Sequence, residues 1–171
     1  MSSLPPTDRP RDALYALFFA SYIPVVLFFD SLPLYPAGLA PKALLSVHEW
    51  YQGHFNDQLV ITQPPWFRLF TLLEPLYQLP VAAWGIHALR THSPRAPAHL
   101  LLWSALCFGT TITCLFEFYH NEKMSAQEKG TLITMYGSYA VIFGTMMVDM
   151  FCRIQKILVA AARTGQDKKA H

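Results

Sequence analysis

The sequence predicts an all-α, polytopic membrane protein: a four-transmembrane-helix bundle with a structured lumenal loop between helices 1 and 2. Composition is the first reason. The chain is 53% hydrophobic and 14% charged, whereas a soluble domain carries roughly 25% charged residues. The second reason is four apolar stretches, Ala13–Phe29, Phe67–Leu89, Pro97–Tyr119 and Thr131–Phe151, each approaching the ~20 residues that cross a bilayer. The third is where the positive charge lies. Arg9 and Arg11 precede the first stretch, Arg90 and Arg95 join the second to the third, and Arg153, Lys156, Arg163, Lys168 and Lys169 follow the last. The other two connections are poorer in net positive charge: one holds Lys42, the other Lys123 and Lys129 balanced by Glu122 and Glu128. Positive charge stays on the cytosolic side, so both termini are expected there. Residues 1–12 then form a cytosolic tail, 13–162 the membrane domain and 163–171 a basic cytosolic tail.

The N-terminal residues Met1–Asp12 are polar and Pro-rich, without the features of a cleaved secretory signal. Span one contains "FFASYIPVVLFFD", residues 18–30, an apolar run with Pro24 inside and Asp30 at its end. The following loop is long. Its segment "ALLSVHEWYQGHFND" carries Leu44, Leu45, Val47, Trp50, Tyr51 and Phe55, the pattern of a short amphipathic helix that packs over the bundle mouth. Span two holds Glu74 and is interrupted by Pro75 and Pro80. Prolines are tolerated in membrane helices whose neighbours re-satisfy the freed carbonyls, so a packed bundle is expected. Span three ends on Glu117. Span four carries Tyr136 and Tyr139, three apart and therefore on one face, suited either to a cavity or to an interfacial aromatic belt. Met146, Met147, Met150 and Phe151 read as packing residues. Asp149 reads as an ion pair with Arg153, four residues on.

Several function classes are disfavoured. The net charge is +2, and no basic stripe with interleaved aromatics marks a nucleic-acid surface. No Gly-rich phosphate loop is present. The three cysteines, Cys107, Cys114 and Cys152, match no zinc spacing or disulfide framework and read as buried apolar residues. "EFYH" places Glu117 and His120 as Glu-x-x-His, but a di-iron bundle needs a second such motif. "HEWYQGH" is not the zinc-protease spacing. No metal or other cofactor is expected.

The chemistry concentrates on acids in apolar spans. A carboxylate at the bilayer centre costs roughly 2.5–3.5 kcal/mol and is a functional candidate by default. At 1.5 Å per residue, Asp30 lies about 25 Å along span one from the cytosol, and Glu74 about 10 Å into span two from the other side. The two depths allow their side chains to meet. Apposed carboxyls in low dielectric do not both ionise readily, and the expected arrangement is a neutral Glu74 donating to Asp30, with Asp57 joining from the loop. For Asp30 the alternative is an ordinary interfacial helix-end residue.

Several segments in order carry a resemblance: "SYIPVVLFFD", "WYQGHFNDQL", "PPWF", "EPLYQLP", "TTITCLFE" and "YGSYAVIFG". From about Leu14 onward the chain resembles the EXPERA-domain membrane proteins, and within them the sigma-2 receptor branch. The resemblance implies a four-helix endoplasmic-reticulum protein, often a homodimer, whose lumenal-side pocket accepts sterols and cationic amphiphiles in the service of lipid homeostasis. It implies that Asp30 pairs with a ligand ammonium, that Glu74 is its protonated partner and that Asp57 orders the pocket. Tyr51, Thr110, Glu117, Tyr136 and Tyr139 fall in the matching segments as further ligand-binding candidates. Two departures bear on pocket shape and ligand range: Ser138 and Gly144 stand where the family tends to carry prolines, and the loop gains His48 and Glu49. The superfamily also includes a sterol isomerase, so the alternative is an enzyme moving a sterol or terpenoid double bond, with Glu74 and Asp30 dividing proton transfer and carbocation stabilisation. That branch places a histidine one turn before the span-two glutamate; here Phe70 stands there, which ranks binding above catalysis. Lys168 and Lys169, third and fourth from the C-terminus, resemble a dilysine retrieval signal.

Overall fold

The structure is a computed structural model describing residues 9–36 and 38–167. Lys168 and Lys169 lie outside the described residues. The chain forms seven α-helices among those residues: α1 (Arg9–Val25), α2 (Lys42–Phe55), α3 (Gln58–Thr62), α4 (Pro65–Leu73), α5 (Leu79–Arg90), α6 (Ala96–His120) and α7 (Ala126–Asp167).

Two π-helical turns interrupt the pattern, and each sits at a proline and an acid. After Pro24, α1 widens into a π turn over Val26–Asp30, sealed by the Ser31 N–H on the Val26 carbonyl at 2.9 Å. Proline supplies no N–H and crowds the preceding turn, and π turns favour functional sites. The Leu27 carbonyl accepts the Tyr35 hydroxyl at 2.7 Å. The second π turn, Glu74–Gln78, contains Pro75 and joins α4 directly to α5, whose second residue is Pro80. There the Gln78 carbonyl accepts Trp103 Nε1 at 2.9 Å.

The link between α1 and α4 is compact for local reasons. The α2 residues Leu44, His48, Tyr51 and Phe55 form the less exposed face at helical spacing. The helix stops at Asn56 in the left-handed region, φ 50°, which asparagine tolerates. Asp57 then caps α3, its Oδ1 accepting the N–H groups of Leu59 at 3.0 Å and Val60 at 3.2 Å. At the other turn, Ser125 and Glu128 form a reciprocal capping box at the start of α7, at 2.7 and 3.3 Å.

Side-chain pairings give the helix directions. Phe118 meets Tyr136 and Trp103 meets Phe143, so α7 runs back along α6. Asp12 meets Arg153 and Phe18 meets Tyr139, so α1 also opposes α7. Tyr22 meets Gln78, and Gly85 lies against Phe19, so the α4–α5 unit opposes α1. The core centres on Phe19, Trp103, Leu100, Met146 and Met150, all fully buried, with Phe19 edge-on to Trp103 at 4.9 Å. A second cluster, Leu59, Cys114, Phe118, Met124 and Leu132, lies beneath α3.

At one end of the bundle the expected Asp149–Arg153 pair is present at 2.8 Å. It belongs to a larger network. Arg153 also holds Asp12 at 2.6 Å, and Arg11 reaches Asp149 at 2.9 Å. This network joins α1 to α7 through a buried guanidinium.

Among the described residues, three helices are long and apolar enough to cross a membrane: Pro10–Asp30, Ala96–His120 and Ala126–Arg163. The segment expected as the second span is not one helix but α4, a π turn and α5 in succession. Span four, expected over Thr131–Phe151, continues to Asp167, with Ser138 and Gly144 inside an uninterrupted helix. Cys107 and Cys114 are buried, but Cys152 is exposed, correcting the expectation that all three pack inside. Phe151 is likewise exposed and makes no contribution to the core.

Candidate functional site

A cavity of about 410 Å³ opens between α1, the α4–α5 unit, α6 and α7, with α2 and α3 over it. That size lies within the range of small-molecule pockets. Its walls are mostly apolar or aromatic, including Phe67, Phe70, Met135 and Phe143. Each π turn delivers one acid: Asp30 from the end of α1 and Glu74 from the end of α4 both line the cavity.

Asp30 and Glu74 share this space. Glu74 Oε2 is buried without a partner. Among the described residues, no lysine or arginine lines the cavity. A cation entering it meets two acids in surroundings where charge is weakly screened.

Asp57 does not line the cavity but stands behind it. Its Oδ2 accepts the hydroxyls of Tyr51 and Tyr136, each at 3.0 Å, and both tyrosines do line it. One buried carboxylate thus fixes a wall residue from α2 and another from α7 while capping α3. Burial pushes the Asp57 carboxyl above the usual carboxylate range, opposed by its hydrogen bonds from Val60, Tyr136, Tyr51 and Leu59. Burial also raises the Tyr51 phenol, and Asp57 adds to the shift. Tyr51 therefore remains a neutral donor.

Thr110 and Tyr139 line the cavity. Glu117 does not. The lining face of α6 runs through Cys107, Thr110, Thr111 and Cys114, and the next inward position is taken by buried Phe118 against Tyr136 at 4.8 Å. Glu117 turns instead toward Asn121, at 3.5 Å.

Sequence reasoning missed Gln78 as a wall residue. Its Oε1 accepts the Tyr22 hydroxyl at 2.6 Å and the Cys107 thiol at 3.3 Å. A polar residue four positions beyond Glu74 in an apolar run was the available signal. His48 also lines the cavity, from α2. Its ring lies 5.2 Å from that of Phe29, and its Nδ1 is buried without a partner.

Comparison with known proteins matches this architecture to one family. The model of the EBP: EXPERA (EXPanded EBP superfamily) family matches residues 43–150. Sigma intracellular receptor 2 of Homo sapiens is 30% identical over 160 residues, covering 85% of this chain and 90% of the relative. The protein of the same name from Xenopus tropicalis is 28% identical over 153 residues, covering 83% and 88%. Efficient mitochondria targeting-associated protein 19 of Schizosaccharomyces pombe is 28% identical over 161 residues, covering 92% and 84%.

Proposed function

The chain is a membrane protein of the EXPERA family, similar to the sigma-2 receptors, and on that premise we propose that it is an intracellular receptor for sterols and cationic amphiphiles. The observation that carries the reading is two acids, Asp30 and Glu74, in an apolar cavity whose described lining residues include no lysine or arginine. Asp30 is the counter-ion for a ligand ammonium. Glu74 is the neighbouring hydrogen-bonding group, and Asp57 keeps the tyrosine walls in place. Binding ranks above isomerisation because Phe70, one turn before Glu74, is an apolar wall residue, leaving that position without a proton carrier.

In the same reading α4 and α5 together form a fourth span, which the alternating helix directions support. Both termini face the cytosol, α2 and α3 face the lumen, and residues 13–162 form the membrane domain. The protein resides in the endoplasmic reticulum as a homodimer and acts in sterol or lipid homeostasis. Lys168 and Lys169 supply retrieval. Changing both to Ser sends the protein beyond the endoplasmic reticulum, as read by fluorescence and acquisition of Golgi-type glycans on a lumenal tag; unchanged residence contradicts the retrieval role.

Equilibrium binding of a tertiary-amine amphiphile to purified protein tests the site. Asp30→Asn preserves shape but removes charge, and is expected to weaken binding by at least about tenfold, the worth of a charge-assisted bond. Glu74→Gln still donates and is expected to cost less than Glu74→Ala. A silent Asp30→Asn with equal losses in the two Glu74 variants refutes these roles.

A further inference from the structure

We propose that the cavity selects long-chain amino alcohols, cationic amphiphiles with a hydroxyl beside the ammonium, and that His48 is the residue that reads the hydroxyl. This rests on the cation-receptor reading above and adds to it a polar specificity element from α2.

His48 and Glu74 both line the cavity, and each has a buried ring nitrogen or carboxyl oxygen without a partner. A buried polar atom left unpaired is costly, so a bound molecule that satisfies both is favoured over one that satisfies only the acid. His48 is placed for this. It projects from the less exposed face of α2, with Tyr51 one turn further on, and its ring packs beside Phe29, the neighbour of Asp30. The histidine and the α1 acid therefore approach the cavity from adjoining positions. Burial lowers the His48 pKa, which keeps the imidazole neutral at neutral pH. With the proton on Nε2, Nδ1 accepts a hydrogen bond from a hydroxyl.

A ligand fitting these groups has an ammonium for the acids, a hydroxyl on a neighbouring carbon for His48, and an apolar tail for the wall of Phe67, Phe70, Met135 and Phe143. A simple alkylamine leaves Nδ1 unpaired. A neutral sterol alcohol leaves the acids without a cation.

The experiment compares two probes that differ only in the hydroxyl, 2-amino-1-octadecanol and 2-aminooctadecane, by equilibrium binding to the purified full chain in mild detergent. Wild-type protein is expected to bind the amino alcohol about tenfold more tightly, the upper range for one hydrogen bond. In His48→Leu the preference disappears. His48→Gln, whose amide also accepts, restores part of the preference, which a merely structural role of His48 does not predict. Equal wild-type affinities, or a preference that survives in His48→Leu, overturn this inference and leave the cation receptor standing. Failure of wild-type protein to bind either amine overturns both.

Discussion

Asp57 carries more of the site than its position in a loop suggests. It accepts two backbone N–H groups and two tyrosine hydroxyls, so one side chain couples a helix cap to the cavity wall. Asp57→Ala removes the cap and leaves two buried hydroxyls unpaired. It is expected to lower stability by about 1–3 kcal/mol and to weaken amphiphile binding, as measured by thermal unfolding and ligand titration. Asp57→Asn, still a good cap, is expected to lose less stability. An Ala variant with unaltered melting temperature and affinity contradicts this role. At this scale the sequence was partly legible. Asp30 and Glu74 stand out because acids in apolar runs are conspicuous. Tyr51, Thr110, Tyr136 and Tyr139 fall on the cavity. Glu117 does not, because Phe118 takes the inward position and only packing decides between neighbours on a helix. His48 shares the less exposed face of α2 with Tyr51 and Phe55, and Gln78 stands four positions beyond Glu74, but how α2 folds back and how a π turn aims its residues are not written in spacing alone.

The elements show why the helices lie as they do. Gly85 on α5 is a close-approach point. A Cβ there would meet Phe19 Cε2 at 3.0 Å and Leu100 Cδ2 at 3.2 Å, whereas one on Gly109 would meet nothing within 4 Å. Gly85→Leu is therefore expected to destabilise the α1–α5–α6 contact by about 1–3 kcal/mol through overpacking. Gly109→Ala is expected to be neutral or to stabilise by up to about 1 kcal/mol through helix propensity. Thermal unfolding of both variants in detergent checks the pair, and a similar response from the two contradicts the packing argument. Apolar length made α6 readable almost to its ends: the expected Pro97–Tyr119 is observed as Ala96–His120. It failed for the far end of α7, because that helix continues past its apolar stretch. It also hid the division of α4 from α5, since hydropathy does not distinguish a π turn from the helix around it.

Across the whole molecule, two features at opposite ends of the bundle define its mechanics. At one end, buried Arg153 ties α1 to α7 through Asp12 and Asp149. At the other, α2 and α3 cover an apolar cavity into which two π turns aim Asp30 and Glu74. The central claim is that a cationic amphiphile occupies this cavity with its ammonium at Asp30. The most direct measurement is photo-crosslinking of a diazirine-bearing tertiary amine to purified protein, with labelled residues read by peptide mass spectrometry. The account predicts labels on Phe67, Phe70, Thr111, Met135 and Tyr139, displaced by unlabelled amine and lost in Asp30→Asn. Displaceable labelling confined to outward-facing residues such as Leu14, Leu102 and Val148, unchanged in Asp30→Asn, would contradict it.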